Sequence, residues 1–301
     1  METTTETRTE ISTPPRPSPS PSSSAARLWR PAAQRNLKNQ WSKLNSLRQD
    51  WRSTASASRS HATAVVNSYL SQKYMDGMDF GVLIDMPNIR KKACSKLLKQ
   101  QELYRGKLLS SYKDMVTVVT NMVNSCKTMR CYSRGTSSSP LAQFSLLSED
   151  DSDSGDCGGI AVFTFYSIST FEELAWEIVQ MFISELLVKR LLVMEFLSIY
   201  DEKVSEVTEL HWSDELYDGE FNELSILNLY SEETRQPILP CLRNCKSSTS
   251  ILQPNKQQDG NVLQIYITTW MVEVNIDRCR MEEIFATVGG EMRVDFLETL
   301  G

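Results

Sequence analysis

The stretch that decides the fold is FEELAWEIVQMFISELLVKRLLVMEFL, residues 171–197, the most apolar long segment of the chain. Its large apolar residues recur three and four positions apart, the spacing that places side chains on one side of an α-helix. Ser169 stands three residues before Glu172, a capping-box pattern that predicts a helix start. Because the second half is apolar almost all round, we expect other residues or another protein to cover it.

Three charged residues, Glu185, Lys189 and Arg190, lie in the middle of this apolar stretch. Glu185 and Lys189 are four apart, so they can pair on the same helical face. The longest run without a charge, residues 178–184, is much shorter than the ~18 to 20 apolar residues that a bilayer requires. We therefore predict a water-soluble helix whose charged pair lies at an interface with a protein partner.

Amino-acid composition and charge distinguish further parts of the chain. Residues 1–34 are rich in Ser, Thr and Pro and are expected to be disordered, because they cannot bury a core. Residues 35–133 hold 17 Lys and Arg against 6 Asp and Glu, whereas residues 134–301 hold 11 against 29. Opposed charges of this size indicate that the two parts dock on each other or face different partners.

Helical periodicity outside the opening stretch predicts an all-α fold, with a long antiparallel hairpin or coiled coil packed against further helices. The chain then divides into a disordered head (1–34), a basic helical hairpin (35–132), an acidic Ser/Gly linker (133–159), an extended segment with the apolar helix (160–200), an acidic irregular insert (201–260) and a C-terminal helix pair (261–301). Gly289 and Gly290 are read as the stop of the last helix.

The sequence contains few of the residue patterns that enzymes use for catalysis. Its two histidines, His61 and His211, are far apart, and no phosphate-binding, dinucleotide-binding or nucleophile-elbow motif occurs. We predict no catalytic, cofactor-binding or metal-binding residues, no small-molecule substrate and no enzymatic activity. Seven cysteines without a CxxC pair favour a reducing compartment, the nucleus or the cytosol.

Two weaker patterns leave alternatives open. The basic run in residues 89–113 would suit the phosphates of a nucleic acid, although a solvated or docked helix face explains it better. Ser18, Ser20 and Ser139 each precede a proline, the form that cyclin-dependent kinases phosphorylate. These three serines are candidate phosphorylation sites, where a phosphate would add charge without disturbing a core.

Three blocks in order, residues 35–51, 163–197 and 263–293, resemble the cyclin-dependent kinase 2-interacting protein family. The sharpest match is Glu185-Leu186-Leu187-Val188-Lys189-Arg190, followed by Trp270. The resemblance implies a helical, non-enzymatic adaptor of the nucleus and cytoplasm. Its partners would be cyclin-dependent kinase, replication-initiation and checkpoint proteins, and AAA ATPase complexes that act in ribosome maturation and at replication forks.

The sequence thus predicts a protein-protein adaptor in cell-cycle-linked DNA replication and the DNA damage response. Glu185, Lys189, Arg190 and Trp270 are the candidate partner-binding residues. One alternative is a structural coiled-coil subunit of a kinetochore or cytoskeletal complex, and a second is nucleic-acid binding through the basic helix.

Overall fold

A computed structural model describes residues 22–75, 77–130, 159–199, 210–242 and 260–296. The described helices are α1 (Ser22–Met75), α2 (Ile89–Lys127), α3 (Ile168–Leu197), α4 (Glu220–Ile226), α5 (Gly260–Val272) and α6 (Arg278–Met292). The short strands β1 (Tyr230–Ser231) and β2 (Gln236–Pro237) pair antiparallel. The predicted all-α class is confirmed.

Helices α1 and α2 form an antiparallel hairpin. Near its open end, the side-chain amide of Asn36 donates to the backbone carbonyl of Thr128 at 3.0 Å. Near its closed end, the amide of Gln72 donates to the side-chain oxygen of Gln101 at 2.9 Å. A single 3-10 turn, Gly81–Leu83, lies in the connection. Long amphipathic helices require a partner along their length, and here each helix supplies it to the other.

Helix α3 packs against the hairpin and the C-terminal helices and forms the centre of the core. Phe182 of α3 meets Trp51 of α1 edge to face, with ring centroids 5.3 Å apart. Phe196 contacts Trp270 of α5 at 6.2 Å, and both rings are buried. Burial of a large apolar side chain stabilises a fold by about 1.5–3 kcal/mol, so most of the apolar surface of α3 is satisfied within the chain, although Trp176 is exposed.

The start of α1 corrects the predicted boundary of the disordered head. The structure has helix from Ser22, so residues 22–34 are not the disordered segment that their composition predicts. Ala33 is buried, and the amide of Gln34 donates to the carbonyl of Val162 at 2.7 Å. Residues 1–21 and 131–158 lie outside the described residues, and with them Ser18, Ser20, Ser139 and most of the acidic linker.

The segment before α3 forms no strand, but it bends at residues 162–165, where the N–H of Val162 donates to the carbonyl of Tyr166 at 2.8 Å, and is not the extended segment predicted. The Glu291 carboxylate of α6 accepts the backbone N–H groups of Thr164, Phe165 and Tyr166. Burial alone would raise the pKa of Glu291, but these three donors lower it. The α3 helix then begins with Ser167, whose hydroxyl accepts the N–H of Thr170, two residues earlier than the capping box predicted.

Residues 210–242 correct the prediction of an irregular insert. This part contains α4 and the β1–β2 ribbon. The indole of Trp212 donates to the carbonyl of Pro237 at 2.8 Å, and the rings of Phe221 and Tyr230 lie 4.8 Å apart. Turn-forming residues are closely spaced in this part of the sequence, so the short helix and strands are difficult to predict from it. In the structure, aromatic packing joins these elements into an ordered unit.

The predicted stop at Gly289 and Gly290 is wrong, because α6 continues to Met292. Arg293 ends the helix in the left-handed conformation, with φ at 55°. The chain then folds back, and the N–H of Val294 donates to the carbonyl of Gly289 at 2.9 Å. A Cβ added to Gly289 would lie 2.6 Å from the Val294 oxygen, so glycine at 289 is required by this close approach.

Gly289→Ala and Gly290→Ala form a matched pair for testing the C-terminal turn. Both should gain about 1 kcal/mol if helix propensity alone decides. Because of the clash, we expect Gly289→Ala instead to lower the free energy of unfolding by about 1–3 kcal/mol. Gly290→Ala, which meets nothing within 4 Å, should be neutral or stabilising. Urea unfolding checks this, and equal stabilisation by both would contradict the described turn.

Candidate functional site: buried ionic clusters and the exposed hairpin tip

The structure places all four predicted partner-binding residues inside the chain. Glu185, Lys189 and Arg190 are each 0% exposed, and Trp270 is 1% exposed. Lys189 and Arg190 are adjacent on α3, yet their side chains enter two different clusters. Each cluster joins α3 to another part of the fold.

The Lys189 cluster comprises Glu185, Lys189, Trp270 and Asn275. The Lys189 ammonium lies 3.0 Å from the Glu185 carboxylate, donates to the carbonyl of Trp270 at 2.6 Å, and stands 4.7 Å from the Trp270 ring centroid. The other Glu185 oxygen accepts the N–H of Asn275 at 3.0 Å. The Trp270 indole donates to the carbonyl of Ala55 at 3.1 Å. The cluster therefore ties α5 and its following turn to both α3 and α1.

Burial acts against both charges of this pair. It raises the pKa of Glu185 and lowers the pKa of Lys189, in each case against the attraction of the opposite charge. The Glu185 carboxylate also gains from the Asn275 N–H. The attraction of each charge therefore offsets much of the free energy that burial of the other costs. Loss of either one leaves an unpaired charge in the core.

The Arg190 cluster comprises Arg190, Glu220, Tyr112 and Trp212. The Arg190 guanidinium donates to both carboxylate oxygens of Glu220, at 2.9 Å and 3.2 Å. It also donates to the carbonyls of Trp212, at 3.0 Å, and Asp214, at 2.7 Å, and lies over the Trp212 ring. The Tyr112 hydroxyl donates to Glu220 at 2.8 Å. The cluster joins α2, α3 and the unit of residues 210–242.

Tyr112 behaves as a buried donor in this cluster. Burial and then the neighbouring Glu220 carboxylate raise the pKa of its hydroxyl well above the ordinary value. The phenol therefore remains protonated and keeps its hydrogen bond to Glu220. Bidentate pairing with Arg190 and this third donor satisfy a carboxylate that has no exposed surface.

These clusters correct the hypothesis that Glu185, Lys189, Arg190 and Trp270 bind a partner. Their charges and polar atoms meet groups of the same chain, and none of the four side chains is open to another protein. The Glu185–Lys189 pair therefore lies in the core of the chain itself and stabilises contacts there. The reason is that α3 is enclosed by its own chain on the sides where a partner was predicted.

Sequence reasoning missed Glu220, Tyr112 and Trp212 as members of a cluster. One signal pointed to a further carboxylate, although not to Tyr112 or Trp212. Glu185 can neutralise one of the two adjacent cations, so a buried Arg190 requires a second carboxylate from another part of the chain. Nothing in the sequence says which of the 29 acids in residues 134–301 provides it.

A cluster of exposed apolar side chains lies at the hairpin tip, which we define as residues 77–88 between α1 and α2. Five large apolar side chains are exposed there: Met78, Val82, Leu83, Ile84 and Met86. Val82 is 94% exposed and Ile84 is 72% exposed. Clustered exposed apolar residues at one place, unlike single ones, mark interaction surfaces.

A basic surface lies directly behind the hairpin tip. Lys92, Lys96 and Lys99 are spaced by four and three residues on α2, so they share one face, which we call the lysine stripe. All three are exposed, and the ion pairs of the described residues include none of them. The start of the basic helix therefore does not dock on the acidic part of the chain that the structure describes.

Other chemistry finds no support in the part of the chain that the structure describes. No group of three or more His, Cys, Asp and Glu residues there could hold a metal ion. No described helix has the length and apolarity to cross a membrane. A scan against models of protein families and a search of curated proteins found no match.

Removal of one charge from the Lys189 cluster should destabilise the fold more than removal of both. We expect Lys189→Met alone to lower the free energy of unfolding by about 3–5 kcal/mol, because Glu185 stays buried without its cation. The double variant Glu185→Leu with Lys189→Met should cost less than this single change. Urea unfolding of both variants measures the difference.

The control for this pair is Lys43→Met, which removes an exposed lysine of α1 and should change stability by no more than about 0.5 kcal/mol. If Lys189→Met were as mild as Lys43→Met, the ammonium would not be buried as described, and the partner-binding hypothesis would return.

Proposed function

We propose that this protein is a non-enzymatic adaptor that binds other proteins through the hairpin tip. Its setting would be cell-cycle-linked DNA replication and the DNA damage response, in the nucleus and cytoplasm. The partners suggested by the family resemblance are cyclin-dependent kinase, replication-initiation and checkpoint proteins, and subunits of an AAA ATPase complex that acts in ribosome maturation or at replication forks.

The observation that carries this proposal is the contrast between the core and the hairpin tip. The charged groups in the middle of α3 meet partners inside the chain, and most of its apolar surface is covered. At the tip, Val82, Ile84 and Met86 are exposed on a short connection where turn residues would ordinarily be polar. A rigid two-helix arm that ends in apolar side chains is suited to contact another protein.

The hairpin also bears on the coiled-coil alternative. A structural coiled-coil subunit would need a free apolar seam for another chain. Here Trp41, Leu44 and Val119 and their neighbours on α1 and α2 are buried within the chain. The adaptor proposal therefore needs only the tip and its flanks as contact surface, whereas the coiled-coil alternative would need the core to open.

Affinity purification from dividing cells tests the proposal. The double variant Val82→Ser with Ile84→Ser should reduce recovery of cyclin-dependent kinase, replication or checkpoint proteins, or AAA ATPase subunits, because it removes exposed apolar contact area without touching the core. Its helical content, measured by circular dichroism, should equal that of the unchanged protein.

Phe165→Ser provides the matched control, since the Phe165 side chain is also exposed, at 79%, but lies in the segment before α3. This variant should keep normal recovery. Recovery of tubulin or kinetochore proteins, with no kinase, replication factor or AAA ATPase, would overturn the proposal in favour of the coiled-coil alternative.

A further inference from the structure

We infer that the hairpin tip and the lysine stripe together form one docking surface for a folded protein that has an apolar pocket bordered by carboxylates. This inference rests on the proposed function and adds the chemistry of the partner. It concerns a single surface at the closed end of the hairpin, and the apolar and basic parts have separate roles in it.

The shape of the tip indicates a concave occupant. Val82, Leu83 and Ile84 are consecutive in the 3-10 turn region and all exposed, with Met78 and Met86 on either side. Arg90 lies over the ring of half-buried Phe80 at 4.7 Å, which holds the base of the tip against α2. Projecting apolar side chains lose the most contact with water when they enter a pocket or a groove.

Two carboxylates in the tip favour a protein pocket over a lipid bilayer. Asp79 and Asp85 are exposed between the apolar residues, and Asp79 accepts the N–H of Gly81 at 2.9 Å. Insertion of Val82 and Ile84 into the acyl region would carry both carboxylates toward a medium where charge is costly. A folded protein can instead offer hydrogen-bond donors beside its pocket.

The lysine stripe indicates that the border of that pocket carries negative charge. Lys92 lies four residues after Asn88, the residue that precedes α2, so the stripe starts about one helical turn from the tip. Lys92, Lys96 and Lys99 then extend along one face for about 10 Å. Cations without ion-pair partners, placed beside an apolar contact, attract a surface that carries carboxylates and orient it before contact.

The test is a cross-link followed by an affinity measurement. The full chain, with the change Val82→benzoylphenylalanine, is irradiated in an extract of dividing cells, and the cross-linked site on the captured protein is mapped. We expect it to lie in an apolar pocket with Asp or Glu at its edge. The captured protein is then purified and titrated with variants of the full chain at low and high salt.

Two variants separate the parts of the surface. Val82→Ser with Ile84→Ser should weaken binding by about tenfold or more at either salt concentration, because it removes apolar contacts. Lys92→Glu with Lys96→Glu and Lys99→Glu should weaken it by about tenfold at low salt and less at high salt, since salt screens exposed charges. The matched control, Lys43→Glu with Arg52→Glu and Lys127→Glu, reverses three exposed cations elsewhere and should leave the affinity unchanged.

Several results would overturn the inference. These are a cross-link within the chain or to a second copy, binding to phosphatidylserine vesicles that depends on Val82 and Ile84, retention of duplex DNA that depends on the three lysines, or a captured protein whose affinity is unchanged by both variants. In the last case binding through the hairpin tip, and with it the adaptor proposal as stated, would also fail. If only the lysine variant left the affinity unchanged, the adaptor proposal would stand and the carboxylate border alone would be wrong. If the unchanged protein bound no partner at all, the adaptor proposal would fail with it.

Discussion

The burial of two adjacent cations on one helix is the constraint on which the rest of the structure depends. Lys189 and Arg190 are both inaccessible to solvent, and unpaired charges in a core are not tolerated. The fold satisfies them on two sides of α3. Glu185 and Trp270 meet Lys189, with Asn275 donating to Glu185, whereas Glu220, Trp212 and Asp214 meet Arg190. The two clusters fix where α5 and residues 210–242 attach.

The same arrangement explains why an acidic segment packs on a basic one without general charge pairing. Besides apolar packing, the halves meet through a few polar contacts, such as Glu220 with Tyr112 and Glu273 with the Trp51 indole, at 2.9 Å. The exposed lysines at the start of α2 remain unpaired in the described part of the chain. The charge asymmetry of the sequence therefore has two outcomes, internal docking near α3 and an open basic surface near the hairpin tip.

Periodicity was sufficient to predict the longer helices, the hairpin and the all-α class, because amphipathic spacing is a local property of the sequence. The break between α5 and α6 was also within reach of local reasoning. Residues whose role depends on contacts distant in the sequence could not be predicted in this way. In the sequence nothing distinguishes Glu220 from the other acidic residues, because its pairing with Arg190 depends on the fold. Gly289 resembles a helix stop, because the hydrogen bond from Val294 to its carbonyl also depends on the fold. The hairpin tip carried a local signal, Val82-Leu83-Ile84 within a turn, that a search for helices passes over.

The middle of α3, around Glu185, Lys189 and Arg190, is covered by its own chain. Hydrogen exchange on the isolated full-length protein tests this most directly. Backbone amides near Glu185, Lys189 and Arg190 should be among the slowest to exchange and should open only with global unfolding, whereas those of residues 77–88 should exchange fast. Rapid exchange across the middle of α3 in the isolated protein, slowed only when a partner is added, would contradict the account.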